Sequence, residues 1–387
     1  MKAVVCRDTK LEVTDVPAPE PGRGHLLLDV HGCGICGSDL HARTHADDMA
    51  EAAAASGYDG FMRSGDSVVF GHEFCGEVVD RGPRTSKEIK IGTRVVAMPI
   101  LRTGGAVHTT GLSPHAPGAY AEQVVVQAAL AMPVPNGLPS DRAALTEPMA
   151  VGLHAVRRGQ VKKGQIAVVI GCGPIGLAVI SLLKASGVRT VIASDFSAGR
   201  RALAAQCGAD VVVNPATESP YDSAKERGKF ITASGLFDLA IDSMSKLRAV
   251  PLLPWWTVME TAEKLGAMPE GPVVFECVGV PGIIDQVIAS APIHSRVVVV
   301  GVCMGSDSIR PAIAINKEID LRFVLGYTPT EFREALHLMA DGKVDPTPLM
   351  TGTVGLAGVE AAFTALGDPE KHAKILVDPR SEAVLPG

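Results

Sequence analysis

The sequence predicts a two-part α/β chain, in which a mostly β domain is followed by a domain built on a doubly wound parallel sheet. Three observations carry this. The 387 residues exceed one ordinary domain and suit two. The first third consists of short β-branched runs broken by Gly and Pro, which is strand texture. The middle alternates fully apolar strands with helical stretches around a glycine-rich turn, as expected for parallel strands covered on both faces.

In chain order, strands are expected at Ala3 to Val5, Leu26 to Val30, Phe74 to Val79, Arg94 to Met98 and Glu122 to Val126. The alternating region runs from about Val151 to Val302. Its expected strands are Ile166 to Ile170, Thr190 to Ser194, Asp210 to Val213, Val273 to Cys277 and Arg296 to Val300, with helices at Gly176 to Ser186 and Arg200 to Cys207. Then come Leu321 to Leu325, a helix over Glu331 to Ala340, and a closing strand at Ala373 to Val377. That tail is too small to fold alone and should return to the first domain. The expected division is residues 1–152, 153–318 and a returning 319–387.

Two stretches read as insertions. His45 to Asp66 is rich in Ala and Gly and is expected to be a loop or short helix at the mouth of a site. Ser243 to Gly271 holds both tryptophans, and Trp255, Val258, Met259, Ala262 and Leu265 fall at helical spacing. The expectation there is a helix that buries one apolar face, with a subunit or partner contact as the alternative.

Composition narrows the function. The formal charge is -6 with acids and bases interspersed, so neither nucleic acid nor an anionic membrane is an expected partner. No apolar run reaches the roughly 18 residues of a membrane span, and the first residues lack signal-peptide order, so a cytoplasmic protein is expected. Eight scattered cysteines form no disulfide framework. Aromatics are only 4%, which disfavours stacking platforms and favours a small substrate.

The strand ending at Ile170 runs into Gly171-Cys172-Gly173-Pro174-Ile175-Gly176 and then an apolar helix. Gly171 permits the tight turn, Gly173 admits a pyrophosphate to the backbone amides, and Gly176 lets the helix pack closely, in the Rossmann manner. Pro174 and Ile175 fall inside this cofactor loop. Asp195, at the end of the next strand, is placed to accept the adenosine ribose hydroxyls and to repel a 2′-phosphate, so NAD is expected over NADP. Arg200 and Arg201 are the counter-indication, because a guanidinium can receive that phosphate. Val278-Gly279-Val280 and Gly301-Val302 end two further strands and should meet the nicotinamide ring.

The first domain carries Gly34-Ile35-Cys36-Gly37-Ser38-Asp39-Leu40-His41, then Gly71-His72-Glu73, then Glu147-Pro148-Met149-Ala150. Sulfur, imidazole and carboxylate together suit zinc with one position left open. In this order, and followed by the dinucleotide fingerprint, these residues resemble the zinc-containing medium-chain dehydrogenases of the alcohol and polyol type, over almost the whole chain. The resemblance implies a GroES-like catalytic domain and one catalytic zinc on Cys36 and His72. It leaves open whether Glu73 or Glu147 completes the set. Ser38 and His41 would be the proton relay, and Asp39 the carboxylate that orients His72. Cys33 reads as a structural thiol, since its CxxC has no second copy.

Many members of that family hold a structural zinc in a four-cysteine lobe. Here Pro99 to Pro117 contains no cysteine, and its His108 and His115 are expected to be solvated, so one zinc per chain is predicted. No Arg or Lys cluster marks an anionic substrate. The expected reaction is hydride transfer between a neutral secondary alcohol or ketone and NAD, with a polyol as the alternative, by a homo-oligomer (dimer or tetramer). A zinc-free NADPH-dependent enone or quinone reductase and a non-enzymatic binding role are the rivals. Cys36, His72, Glu147 and Asp195 weigh against the first, and the complete glycine loop, Ser38 and His41 against the second.

Overall fold

In the computed structural model, which describes residues 1–162, 164–225, 231–267 and 269–386, the chain opens with an antiparallel hairpin of β1 (Lys2–Arg7) and β2 (Lys10–Asp15). β3 (His25–Gly34) leads into α1 (Gly37–Ala55), followed by β4 (Val68–Val69), β5 (Glu73–Arg81) and β6 (Arg94–Ala97). β7 (Ile100–Thr103) and β8 (Ala106–Thr109) make a separate two-stranded ribbon. β9 (Gln123–Gln127) and β10 (Ala131–Pro133) complete the first pass. β3 is flanked by β5 and β9, so its residues are buried far beyond simple alternation, as a central strand requires.

α1 answers the question of the first insertion. It runs through to Ala55, broken only at His45, where φ is -132° and ψ 34°. His45 to Ala55 therefore extends a helix that begins at the Cys36 segment, and residues 56–66 form the loop that follows it.

α2 (Ser140–Ala144) and α3 (Thr146–Gly159) carry the chain into a six-stranded, all-parallel sheet. Its elements are β11 (Ile166–Ile170), α4 (Pro174–Ala185), β12 (Thr190–Ser194), α5 (Ala198–Gln206), β13 (Val211–Val213), α6 (Asp222–Lys225), α7 (Ala233–Arg248), α8 (Trp255–Lys264), β14 (Val273–Glu276), α9 (Ile283–Ser290), β15 (Arg296–Val299), α10 (Pro311–Asn316) and β16 (Asp320–Phe323). The order β13-β12-β11-β14-β15-β16 reverses at β11, which places a crevice beyond the carboxyl ends of β11 and β14. Gly171 (φ 88°) makes the turn out of β11, and Pro174 occupies the first turn of α4, where its missing N–H costs nothing. A Cβ on Gly176 would collide with the Gly171 carbonyl oxygen. Gly176→Ala is accordingly expected to raise the dinucleotide Kd by at least about tenfold, read by cofactor titration, and to cost about 1–3 kcal/mol by overpacking.

The tail consists of α11 (Pro329–Ala340), β17 (Met350–Val354), α12 (Val359–Ala365) and β18 (Lys374–Val377). β17 and β18 join the seven-stranded sheet of the first domain beside β3. This corrects the expected boundary at residue 319, because β16 pairs in parallel with β15 as the sixth strand of the nucleotide sheet. The return begins only after it. A second correction concerns α8. The helix forms at the expected place, but none of its residues is buried, so its apolar face is not packed into this chain's core.

Candidate functional site

Strand pairing assembles the candidate metal donors. In the β3/β5 ladder Gly34 lies opposite Glu73, so the residue just before β5, His72, and the one just before α1, Cys36, meet at the same end of the sheet. Cys36 Sγ, a ring nitrogen of His72 and a carboxylate oxygen of Glu73 all lie within 4.8 Å of one another, and among the described residues this is the one such group of three. Sulfur, nitrogen and oxygen at that spacing suit a single zinc at about 2.0–2.3 Å from each. The approach is tight. A Cβ on Gly34 would strike the Glu73 carboxylate, and one on Gly71 (φ 102°) would strike the Tyr120 ring and Cys33 Sγ. Cys33 itself is buried, with its thiol pKa pushed well up by burial, as a structural thiol should be.

Asp39 organises the rest. Its Oδ2 accepts the Cys36 N–H at 3.0 Å, closing the first turn of α1, and the Tyr120 hydroxyl at 2.6 Å. Its Oδ1 faces His72 Nδ1 at 3.2 Å, though off the hydrogen-bonding direction, and neither atom has another partner. Burial opposes a charge on His72, but the Asp39 carboxylate and the Cys36 sulfur outweigh it and raise its pKa well above the ordinary range. Ser38 Oγ lies 3.1 Å from His72 Nε2.

Two residues here were not read from the sequence. Lys374, fully buried at the start of β18, donates from Nζ to both Glu73 oxygens at 2.7 Å and to the Ile35 carbonyl at 2.8 Å. The available signal was a lone lysine opening an otherwise apolar strand. Tyr327, just beyond β16, lies beside Glu147 in the first turn of α3, and burial followed by the Glu147 carboxylate pushes its hydroxyl pKa well up. Glu147 falls outside the three-donor group. Its pKa is pushed up to about 7, first by burial and then by the Glu73 charge.

The Tyr327 segment is held by a capping box. Thr328 donates its N–H and hydroxyl to Glu331 Oε2 at 2.8 and 3.0 Å and receives the Glu331 N–H at 3.2 Å. The same carboxylate oxygen lies 3.0 Å from His154 Nδ1 on α3, the helix that carries Glu147. Burial works against ionising Glu331, yet these bonds prevail and hold its pKa below the usual 4.5. The stability it confers is therefore present above that value and lost as pH falls through the lower folded one. Glu331→Ala is expected to cost about 1–2 kcal/mol at pH 7 in urea unfolding, and less at pH 3.

In the cofactor loop, Asp195 Oδ2 accepts the Cys172 N–H at 2.7 Å and Oδ1 accepts the Ser197 N–H at 2.8 Å, so the carboxylate is fixed against the glycine turn with lone pairs to spare. Arg201 is spent on the Asp195 and Phe196 carbonyls, both at 2.8 Å. Arg200 Nε is buried without a partner. Beyond β14 and β15, Val278, Val280 and Val302 are exposed around the close contact of Gly279 with Gly301, an apolar lip at the sheet end. His41 is half-buried on α1, its pKa lowered by burial and by His45.

In the β7/β8 ribbon, His108 departs from the expected solvated state. It is buried, 3.1 Å from Ser113 Oγ, with its ring centroid 5.0 Å from that of His115. Among the described residues no helix is long and apolar enough to cross a membrane.

With this geometry in hand, the chain matches the alcohol dehydrogenase GroES-like domain family over residues 22–136 and the zinc-binding dehydrogenase family over residues 174–251. It is 32% identical to the (R,R)-butanediol dehydrogenase of Bacillus subtilis (strain 168), covering 96% of this chain and 97% of that one. It is 30% identical to the sorbitol dehydrogenase of Rattus norvegicus, over 97% and 94% of the two chains. Among solved structures, a zinc-binding dehydrogenase from Sinorhizobium meliloti 1021 bound to NADP superposes with a TM-score of 0.73 at 27% identity, covering 98% of this chain and 99% of that one.

Proposed function

The chain belongs to the zinc-containing medium-chain dehydrogenases, an alcohol oxidoreductase using zinc and a nicotinamide cofactor, and from that premise we propose that it oxidises a neutral secondary alcohol with NAD at a single zinc held by Cys36, His72 and Glu73. The observation that carries this is the three-donor group, set beside Ser38, with Tyr327 near enough for the Glu73 and Cys36 charges to raise its pKa. When bound, zinc acidifies an alcohol hydroxyl and the nicotinamide accepts the hydride.

The remaining work belongs to the chain. Asp39 holds His72 so that Nε2 faces the donors. Ser38 takes the hydroxyl proton. His41, whose pKa lies below the usual 6.5, is neutral at pH 7 and can accept that proton on its way to solvent. The exposed valines at the sheet end would offer an apolar surface to the nicotinamide ring. Asp195 would select NAD by accepting the ribose hydroxyls on its free lone pairs. Asp195→Ser is expected to raise KM for NAD by about tenfold or more, the loss of roughly one charged hydrogen bond, while easing use of NADP.

A vicinal diol or polyol is the second reading, favoured by the Glu147–Tyr327 pair, which offers a polar contact for a neighbouring hydroxyl. The named substrates of the two relatives, a butanediol and sorbitol, both carry vicinal hydroxyls. One experiment tests all of this. Metal content is measured, both cofactors are titrated, and rates are compared on cyclic, aliphatic and sugar alcohols. Full activity in metal-free protein, or faster turnover with NADP, overturns the reading.

A further inference from the structure

The helical hairpin of α7 and α8, which interrupts the connection from β13 to β14, turns an apolar surface outward. No residue of either helix is buried. Leu236, Met244 and Leu247 are half-buried on α7, as are Trp255 and Met259 on α8, so one face of each helix is used within the hairpin. On the outer side Phe237 is 67% exposed, Ile241 64%, Trp256 55% and Leu265 79%. At the tip, Leu252 is fully exposed although its backbone sits in the left-handed region at φ 63°. Exposed apolar surface of this extent marks a contact.

The charges say what kind of contact. Phe237, Ile241 and Arg248 fall on one stripe of α7, separated by four and then seven residues. Asp238 flanks the amino end of the stripe and Arg248 closes the carboxyl end. Neither makes an ion pair or a side-chain hydrogen bond among the described residues. They stand ten positions apart, about 15 Å along the helix. We propose that this stripe docks a second copy of the chain, α7 against α7 and antiparallel about Ser243, with Asp238 of each copy meeting Arg248 of the other.

A two-fold axis makes the pairing self-complementary, whereas a parallel arrangement would oppose like charges. A membrane fits less well, because Asp238, Asp242, Glu260 and Glu263 outnumber Lys246, Arg248 and Lys264 on the hairpin and leave it without a basic face. The contact is independent of the catalytic reading, since no hairpin residue belongs to the metal or cofactor groups.

Both tryptophans of the chain lie in the hairpin, so intrinsic emission reports on it alone. The full-length protein is diluted while sedimentation and tryptophan emission are followed together. Wild type is expected to halve its assembled mass with a matching change in emission. Ile241→Glu should weaken that association by about 30-fold or more. Asp238→Arg and Arg248→Asp should each weaken it by about tenfold, by placing like charges together. The double variant D238R/R248D, and an equimolar mixture of the two single variants, should associate as wild type does. Single reversals that behave as wild type overturn the proposal, as does a double variant no better than the singles. So does emission that ignores dilution and responds instead to phosphatidylcholine vesicles.

Discussion

His72→Ala and Cys36→Ser are each expected to lose the metal and with it turnover, by a factor of about 10³ or more, while the dinucleotide still binds within about twofold of wild type. The separation follows from the architecture. His72 and Cys36 lie just before β5 and α1 in the first domain, whereas the glycine turn and Asp195 follow β11 and β12 of the parallel sheet. Removing His72 also leaves Asp39, fully buried, facing an emptied space, with only Tyr120 and the Cys36 amide on its other oxygen. Asp39→Asn is the milder companion. It keeps the shape but removes the charge that supports His72, and a loss of about 10- to 100-fold in metal affinity is expected. Metal content by elemental analysis, with fluorescence titration of NAD, checks both halves. A His72→Ala protein that retains stoichiometric zinc would refute the assignment of the donor set.

The second large effect is expected at Lys374. In Lys374→Met the buried Glu73 carboxylate loses the ammonium that contacts both of its oxygens, and breaking such a pair costs about 3–5 kcal/mol. Burial opposes the charge on Lys374, but Glu73 and Cys36 raise its pKa above the usual 10.5. The stabilisation is therefore fully present at neutral pH and is lost only as pH rises through that higher value. The cost should be largest in metal-stripped protein and smaller in the zinc-loaded form, where Glu73 has a second cationic partner. Urea unfolding of both forms is the measurement. Equal destabilisation in the two would detach Glu73 from the metal site.

The parallel sheet could be read closely from the sequence because its signal is local. Ile166–Ile170 and Thr190–Ser194 are short apolar strands bounded by turn residues, and the glycine turn between them needs its residue types for reasons of backbone geometry. The same locality explains Cys36, His72 and Glu73, whose flanking glycines are required by the close approach of Glu73 to Gly34 and of Tyr120 to Gly71. What escaped were partners contributed from far along the chain. Lys374 reaches Glu73 across 301 positions, and Tyr120 reaches Asp39 across 81. His108 was misjudged because a histidine in a cysteine-free loop looks solvated until the ribbon packs it against Ser113.

The sequence by itself determined the two-domain class, the dinucleotide turn and the residue types of a zinc site, because each depends on short-range geometry or on donor chemistry that few side chains supply. Only the tertiary structure showed which glutamate lies with Cys36 and His72. It grouped Glu73 with them through the β3/β5 register and left Glu147 outside that group, beside Tyr327. It also moved β16 into the nucleotide sheet and left the α7–α8 hairpin uncovered. These depend on which surfaces meet across long stretches of chain, and hydrophobic pattern records that a face is apolar without recording what covers it.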